Sequence, residues 1–513
     1  MNRKWRCWKR SSSFGIHRLQ SPQLGEWDHL RSCSIFLPLL VLALIMVSAS
    51  VAPAHAQNQQ QEEGKRRDLG ELNLTLVGDN NIVTLATARQ NNPKFMAVVN
   101  EIRKGDAAFN NLETTFPGPE AYPGGAPRSE NIFSDPALLK ELQWIGFNLF
   151  GTANNHSMDF GIQGLLDTMQ VLKQGGAIYA GTGVDLGHAR APGYLFTPHG
   201  RVALITCAST FPQDSPAGQA RPDMKGRPGI NPLHYDVRYR VNAADFAALQ
   251  KLNDDITLMG VRSGSGSSQT LRFIFPPSGP SGNYGTAVTF DLSDKPGVVT
   301  TADREDLAAL THSIQDARFF ADYIVASIHA HEGIPGQAAG HVEIPAQFIV
   351  QYAHAAIDAG ADVFVGSGPH VLQGIEIYKG KVILYNLGNF ITENWIMGPE
   401  ASTMYDRFHL GQDALASEAH NARSDYGRKD EPSWPLYWQT AIAHVVFRDG
   451  RPAEVKITPI TLGYGYRSVN RGWPEVADLP EATEILERLQ ELSAPYGTKI
   501  KISDGIGTIT IPK

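Results

Sequence analysis

Five apolar segments of the sequence each end in side chains that can bind a metal ion or transfer a proton. These side chains are Asp79 after LTLVG, Glu113 after AAFNNL, Asn155 and His156 after NLFGTA, His329 and His331 at the end of YIVASI, and His370 after ADVFVGSGP. Carboxylate and amide oxygens mixed with imidazole nitrogens suit Zn, Mn or Fe better than Ca or Mg. The pattern therefore predicts a divalent transition-metal site that holds one or two ions.

Each of these residues taken alone also has an ordinary structural explanation. Asp79 and Asn155 suit turns, and His370 beside Pro369 could close a loop. The carboxyl ends of strands in an α/β sheet share one edge, however, and ligands bind at that edge. Two carboxylates brought together there repel each other unless a cation neutralises them, which favours the metal site over five separate turns.

The segments that carry these residues alternate between strand and helix patterns, which predicts a layered α/β fold. One helix pattern follows the third strand, ends at Gly175-Gly176 and consists of Ile162, Leu165, Leu166, Met169 and Leu172. Residues 211–300 are rich in Pro, Gly and Ser and predict a long insertion with some short strands. From about residue 435, we expect two more strands and a helix that packs on the core.

The first 56 residues have the pattern of a secretory signal peptide. A basic start precedes the apolar run IFLPLLVLALIMV, and small residues flank His55 at a cleavage-type site. We therefore expect export to the periplasm or cell surface, with residues 57–71 as a polar linker. The long basic region leaves an uncleaved membrane anchor as the alternative.

The charge of the remaining chain argues against nucleic acid as a partner. Residues 1–56 contain seven of the 45 Lys and Arg and two of the 52 Asp and Glu. Residues 57–513 therefore keep 38 basic and 50 acidic residues, a formal net charge of −12 with His neutral. Their one cysteine, Cys207, lies in the apolar run RVALITCAS, which predicts a buried, unreactive thiol and excludes an intrachain disulfide.

Several longer blocks resemble the CapA-type proteins of capsule and poly-γ-glutamate synthesis. The matching blocks are LVGDNN, NNLETTF, GTANNHSMDFGIQGLLDTMQVLKQGGAIYAGTG, RPGINPLHYD, ASIHAHEG and GADVFVGSGPHVLQGIEIYKGKVILYNLGNF. The resemblance implies a sandwich of mixed β-sheets flanked by helices, similar to calcineurin-like metallophosphoesterases. It places this domain at residues 72–400, with residues 401–513 as a C-terminal extension.

The resemblance also assigns roles to the residues at the strand ends. It implies that Asp79 and Glu113 bind metal, with Glu113 placed to bridge two ions, and that Asn155 is an amide ligand. His329 and His370 complete the metal shell by the same resemblance. His156 then lies beside the substrate as an acid or an orienting group.

The sequence departs from the family pattern at two positions of the site. Asp79-Asn80-Asn81 stands where the wider phosphoesterase fold has Asp-x-His, and GSGPH stands where members of the family often have GHHPH. Ser367 and Gly368 thus replace two histidines, and His331 is the candidate to supply a missing ligand. A one-metal and a two-metal site both remain open.

Two further residues have alternative explanations. Asn389 in YNLGNF could approach the site or form a turn before Phe390, and Glu332 could support a histidine or be a solvated loop charge. The basic residues of the insertion could bind an anion, although a solvated loop is favoured; they are Arg221, Lys225, Arg227, Arg238 and Arg240.

The expected function is metal-assisted hydrolysis of a phosphoester or γ-glutamyl amide bond in an anionic exopolymer pathway. The substrate or partner is then an anionic polymer or a phosphoester, with other capsule-synthesis or export proteins as further partners. Two alternatives stay open: a non-catalytic accessory protein for polymer export or anchoring, and a nucleotidase-like phosphohydrolase.

Overall fold

The computed structural model describes residues 69–124, 130–258, 270–274, 287–334, 337, 342–411, 413–429 and 433–512. The predicted signal peptide, most of the linker and parts of the insertion lie outside the described residues. Among the helices that are described, none is long and apolar enough to cross a membrane.

The described chain alternates strands and helices along most of its length. The strands are β1 (Leu72–Asn81), β2 (Ala107–Leu112), β3 (Leu149–Gly151), β4 (Ile178–Ala180), β5 (Thr182–Gly183), β6 (Gly193–Thr197), β7 (Gly200–Ala208), β8 (Gly229–Ile230), β9 (Tyr235–Val241), β10 (Thr270–Ile274), β11 (Ala287–Leu292), β12 (Gly297–Ala302), β13 (Tyr323–His329), β14 (Val363–Ser367), β15 (Ile375–Tyr378), β16 (Lys381–Leu384), β17 (Asn389–Thr392), β18 (Gln439–Arg448), β19 (Arg451–Thr461), β20 (Glu475–Val476), β21 (Lys501–Ser503) and β22 (Ile506–Thr510).

The helices connect these strands. They are α1 (Pro93–Ile102), α2 (Leu139–Ile145), α3 (Gly161–Gln174), α4 (Leu186–Arg190), α5 (Ala243–Leu258), α6 (Arg304–Phe320), α7 (Gln347–Asp358), α8 (Ser402–Arg407), α9 (Ala416–Ser424) and α10 (Leu479–Ser493). Short 3₁₀ helices are found at Ala86–Arg89, Pro136–Leu138, Asn394–Ile396, Pro435–Trp438 and Ala494–Tyr496.

Two mixed sheets form the body of the fold. The first has the order β21-β22-β19-β18-β1-β2-β3-β4, with β17 also paired to β1 and β20 to β19. Strands β1 to β4 are parallel, whereas β18 is antiparallel to β1. The second sheet has the order β15-β16-β14-β13-β7-β6, parallel in its centre and antiparallel at both edges. The segment 401–513 therefore contributes strands β18 to β22 to the first sheet itself.

The two sheets pack face to face and helices cover their outer faces. Leu76 and Phe109 of the first sheet meet Val325 and Val365 of the second in one buried cluster. The outer faces form separate clusters with α1 and α2 on the first sheet and with α6 and α7 on the second. Burying each such side chain contributes roughly 1.5–3 kcal/mol. The predicted layered α/β sandwich of mixed sheets flanked by helices is confirmed.

Helix α3 buries a different stripe from the one predicted. Leu165 and Leu172 are buried, but Ile162 is 42% exposed. The buried stripe includes Thr168, whose hydroxyl donates to the Gly164 carbonyl (2.7 Å) and accepts from the Phe116 amide (2.9 Å). A threonine with both hydrogen-bonding roles satisfied can occupy a buried helical position.

The insertion contains more regular structure than the sequence predicted. Strands β9 to β12 form a separate sheet in the order β10-β11-β9-β12, and the 16-residue helix α5 was not predicted. Arg221, Lys225, Arg227, Arg238 and Arg240 are exposed. Arg221 forms a surface ion pair with Asp223, and Arg238 forms one with Asp291. These contacts agree with the solvated alternative for the basic cluster.

A buried carboxylate fixes the beginnings of the two central strands of the second sheet. Asp362, just before β14, accepts a hydrogen bond from the Ile324 amide of β13 (2.9 Å) and pairs with Arg318 and Lys381. Burial alone would raise the pKa of Asp362, but the two cations lower it below its usual range. This contact fixes the starts of β13 and β14, whose other ends carry His329 and Ser367.

We expect Asp362→Asn to lower the free energy of unfolding by about 3 kcal/mol at pH 7, because it leaves two cations without their carboxylate. The folded-state pKa lies below the unfolded value of about 4, so the stabilisation is complete above that pH. It is then lost as the pH falls toward the folded-state pKa. Urea unfolding at about pH 7 and about pH 3.5 measures both effects.

The matched control is Asp358→Asn, which removes the exposed pair with Lys379. We expect it to leave the urea midpoint nearly unchanged, because water and salt screen an exposed ion pair. Equal effects of the two variants at pH 7 would contradict the assigned role of Asp362.

Candidate metal centre

Asp79 reaches the site because the backbone of β1 passes unusually close to a neighbouring loop. A Cβ atom on Gly78 would lie 1.7 Å from the Gly388 carbonyl oxygen, so only glycine fits there. The Asp79 amide donates to the same carbonyl (3.2 Å), and Asp79 lies opposite Asn389 in the β1–β17 pairing. The close approach therefore sets the position of the first carboxylate.

The Asp79 carboxylate is fully buried among donors. Oδ1 accepts from Asn111 Nδ2 (2.8 Å), and Oδ2 accepts from the Gly368 amide (3.1 Å). His329 Nδ1 lies 3.6 Å from Oδ1, and His370 Nδ1 lies 3.4 Å from Oδ2. Burial alone would raise the pKa of Asp79, but the two histidines lower it far below its usual range. Asp79 is therefore ionised.

Glu113 lies beside Asp79, just after β2, and close to His329, the last residue of β13, and to His331, which follows that strand. His329 Nε2 is 3.5 Å from Glu113 Oε1, and His331 Nε2 is 3.1 Å from His329 Nε2. Burial, followed by the negative charge of Asp79, raises the pKa of Glu113. Burial, followed by the charges of His329 and His370, holds the pKa of His331 well below its usual value. His331 is therefore neutral, the state in which imidazole binds metals.

These side chains form two groups of three potential metal ligands, and Glu113 belongs to both. One group is Glu113, His329 and His331; the other is Asp79, Glu113 and His370, and the ligand atoms in each lie within 4.8 Å of one another. Glu113 Oε1 is buried and accepts no hydrogen bond from any described residue. A buried carboxylate oxygen that accepts no hydrogen bond and has imidazoles around it fits a divalent transition metal. The structure thus brings together every predicted carboxylate and histidine ligand, including His331.

The two asparagines of the NNH segment after β3 have different roles. Asn154 holds the turn: Nδ2 donates to the Leu112 carbonyl (2.8 Å), and Oδ1 accepts from the His156 amide (3.1 Å). Asn155 Oδ1, by contrast, is buried and accepts no hydrogen bond from the described residues. Asn155 follows β3, which pairs with β2, the strand that precedes Glu113. Its amide oxygen therefore fits the role of a metal ligand.

His156 is oriented by a carboxylate three residues later. Its Nδ1 lies 2.7 Å from Asp159 Oδ2, and that oxygen also accepts from the Ile132 amide (2.7 Å). Burial opposes a charged ring, but the charge and hydrogen bond of Asp159 raise the pKa of His156 to about 9. The side chain is 19% exposed, so its far edge can reach a molecule at the surface. The arrangement suits a proton donor.

His370 has a backbone conformation that is uncommon outside glycine. Its φ is +60°, and its Nδ1 donates to Asn389 Oδ1 (2.8 Å), because an amide oxygen only accepts. Asn389 Nδ2 in turn donates to the Tyr437 carbonyl (3.3 Å). Nε2 of His370 then carries the lone pair that a metal would use, as is usual for ligating histidines. Asn389 is therefore a supporting residue of His370.

Gly368 lies against the backbone segment that carries His331. Gly368 has a φ of +119°, and a Cβ atom there would lie 2.8 Å from the Ala330 carbonyl oxygen. Ala330 stands between His329 and His331, and its amide donates to the Ser367 carbonyl (2.8 Å). A histidine at position 368 would therefore collide with the backbone that presents His331.

Sequence reasoning missed Asn111 and gave no role to Ser367. Asn111 Nδ2 lies 2.8 Å from Asp79 Oδ1 and 3.1 Å from His329 Nδ1, and Ser367 Oγ lies 3.1 Å from the same histidine nitrogen. The signal for Asn111 was its position two residues before Glu113, since alternate residues of a strand face the same side.

Two other expectations concerned residues near the site. Glu332 accepts hydrogen bonds from Ser209 (2.7 Å) and Thr210 (2.8 Å), and the Thr210 hydroxyl accepts from the His331 amide (2.8 Å). Glu332 therefore supports the backbone that carries His331. Cys207 is a buried free thiol, as predicted, and burial raises its pKa.

Comparisons with known proteins match a large part of this chain to one family. The family described as "Bacterial capsule synthesis protein PGA_cap" matches residues 73–394. An uncharacterized protein of Sinorhizobium fredii is 34% identical over 452 residues, which cover 85% of this chain and 93% of that protein. The PGA biosynthesis protein CapA of Bacillus subtilis is 23% identical over 331 residues, which cover 62% of this chain and 64% of CapA. A solved structure of a hypothetical protein from Thermus thermophilus has a TM-score of 0.31 and 13% identity, and the alignment covers 79% of this chain and all of that one.

We expect Asn111→Ala to weaken binding of a divalent transition metal about 10- to 100-fold, because Asn111 orients both Asp79 and His329. Competitive titration with a chromogenic chelator measures this affinity. Asn253→Ala, in the insertion, is the control and should leave the affinity unchanged. Equal affinities of native and Asn111→Ala protein would contradict this orienting role.

Proposed function

The chain belongs to the bacterial capsule synthesis protein family, and we propose that it is an exported, metal-dependent hydrolase in the pathway of an anionic exopolymer. The observation that carries the proposal is the pair of ligand groups that share Glu113. A bridging carboxylate between two such groups is suited to hydrolysis, because it can hold two ions against one scissile group. The bond we propose is a phosphoester or a γ-glutamyl amide.

The side chains at the strand ends would have separate roles in this chemistry. One ion would be held by Asp79, Glu113 and His370, and the other by Glu113, His329 and His331. Asn155 would add an amide oxygen. A bound divalent ion of this kind acts as a Lewis acid and activates water for attack. Asn111 and Asn389 keep the ligands oriented through the hydrogen bonds described above.

His156 would protonate the leaving group. Its Nδ1 is held by Asp159, so the proton available to a substrate is the one on Nε2. Donation to the departing oxygen or nitrogen avoids expulsion of an unstable anion. Asp159, also held by the Ile132 amide, keeps the ring in that orientation and favours its protonated form.

A non-catalytic accessory role is the second candidate, and it draws on Ser367 and Gly368 in place of two family histidines. The geometry favours the hydrolase, because His331 supplies an imidazole that Gly368 leaves room for. A nucleotidase-like phosphohydrolase would share the metal chemistry and differ in its substrate. Export to the periplasm or cell surface is supported by the leader in residues 1–56, and partners in capsule synthesis or export by the family.

We expect purified protein loaded with Zn, Mn or Fe to hydrolyse a phosphoester or a γ-glutamyl amide, and Asp79→Ala, Asn155→Ala and His370→Ala each to abolish that activity. Metal content measured by elemental analysis should fall by at least one equivalent in Asp79→Ala, because a buried charged ligand is lost. Undiminished turnover in all three variants would rule out the site as the catalytic centre. Metal-independent binding of the polymer, without turnover of any substrate, would instead favour the accessory role.

A variant of His156 tests the role of proton donor apart from metal binding. We expect His156→Gln to lower kcat about 10²- to 10⁴-fold while the bound metal stays at the native level, because His156 is outside both ligand groups. His312→Gln, an exposed histidine on α6, is the control and should keep native kcat. Loss of metal together with activity would show that His156 acts in binding and contradict its role as the acid.

A further inference from the structure

A tyrosine at the start of β9 links the insertion to the loop that carries His331. The Tyr235 hydroxyl donates to Glu332 Oε1 (3.2 Å), and the Tyr235 ring is stacked on that of Phe348 in α7, with the ring centres 4.2 Å apart. The backbone of Tyr235 pairs with that of Ala302 in the separate sheet of the insertion. Tyr235 therefore belongs to the insertion sheet but packs against the body of the fold.

The Glu332 carboxylate is held by three hydroxyl groups. Oε1 accepts from Tyr235 and from Thr210 Oγ1 (2.8 Å), and Oε2 accepts from Ser209 Oγ (2.7 Å). Ser209 and Thr210 directly follow β7, the neighbour of β13 in the second sheet. Among these described donors, Tyr235 is the one that connects the carboxylate to a second segment of the chain.

The Thr210 hydroxyl passes the position of this carboxylate on to His331. A threonine hydroxyl has one proton, and Thr210 donates it to Glu332, so its lone pairs are left to accept from the His331 amide (2.8 Å). His331 lies two residues beyond the end of β13, outside the strand pairing that fixes His329 against Ser367. The hydrogen bonds of this loop therefore set the position of the His331 imidazole.

The two ligand groups of the metal centre thus have different supports. Asp79 and His370 are held by Asn111 and Asn389, which both belong to strands of the first sheet. His331 is held by the hydroxyl network, which ends in the insertion. A change at the insertion end of the network should therefore loosen one ligand group and leave the other intact.

We propose that Tyr235 is a positioning residue for the ligand group of Glu113, His329 and His331, so that the insertion determines how tightly one metal ion is held. Tyr235 acts through Glu332, because its hydroxyl fixes the carboxylate that orients the loop. The inference rests on the proposed metal-dependent function and gives the insertion a role in the same site. Loss of a residue that orients metal ligands typically weakens metal binding about 10- to 100-fold.

The test measures Co²⁺ binding apart from turnover. Visible absorption titrations with Co²⁺ compare the purified native protein with His331→Ala, which identifies the ion that depends on this ligand group. We expect Tyr235→Phe to weaken binding of that same ion about 10-fold, because His331 stays in place but is less well oriented. A second ion, held by the other group, should keep nearly its native affinity.

Tyr239→Phe is the matched control, because it removes a hydroxyl from the same strand, where the Tyr239 ring packs on Phe290 (5.4 Å). It should bind Co²⁺ as the native protein does. Glu332→Gln should weaken the same ion as Tyr235→Phe. The double variant should bind no more weakly than Glu332→Gln alone, since both changes break one network.

A His331→Ala background separates positioning from a general effect on the structure. Tyr235→Phe should cause no further loss of Co²⁺ there. An equal loss with and without His331, or unchanged Co²⁺ binding in Tyr235→Phe, would overturn the positioning role, and substrate turnover by the native protein would still leave the hydrolase intact. Selective weakening of one ion in Tyr235→Phe, in a protein that hydrolyses no substrate, would support the positioning role and refute the hydrolase.

Discussion

Two carboxylates buried side by side, Asp79 and Glu113, are the constraint on which the rest of the site depends. Their charges repel in a region from which water is excluded. Burial and then the charge of Asp79 raise the pKa of Glu113, whereas the two histidines lower the pKa of Asp79. The histidines around them satisfy Asp79, but one oxygen of Glu113 accepts no hydrogen bond from the described residues. A divalent cation would allow both groups to be ionised together.

The fold brings these charges together by joining the ends of strands from two different sheets. The first sheet supplies Asp79 and leads into Glu113, and the second supplies His329, so the cluster exists only because the sheets pack face to face. Contacts far from the site maintain this geometry. Asp362 fixes the beginnings of β13 and β14, and the close approach at Gly78 sets the position of β1 against the neighbouring loop. Rigid strands hold ligands more accurately than loops do.

The departures from the family pattern make structural sense when they are considered together. Gly368 has a positive φ and contacts the backbone of Ala330, so a side chain there is excluded by geometry. The same backbone presents His331 to Glu113 and His329. The backbone that excludes a side chain at position 368 is therefore the same backbone that carries His331 toward Glu113.

The sequence alone was enough to identify the central strands of both sheets and most of the candidate ligands. Alternation of apolar residues is a local property, and a polar residue at the end of an apolar run is visible without any knowledge of packing. For this reason Asp79, Glu113, His329 and His370 were predicted and are found together, as was the layered α/β sandwich.

Only the tertiary structure decided which neighbouring residues support those ligands. The structure gives different roles to Asn154 and Asn155, which are identical in type and adjacent in sequence. Asn154 holds the turn, whereas the Asn155 amide oxygen accepts no hydrogen bond from the described residues. It also placed Asn111 against Asp79, and Tyr235 of the insertion against Glu332. Such contacts depend on strand register and on the packing of distant segments, which a local sequence pattern does not encode.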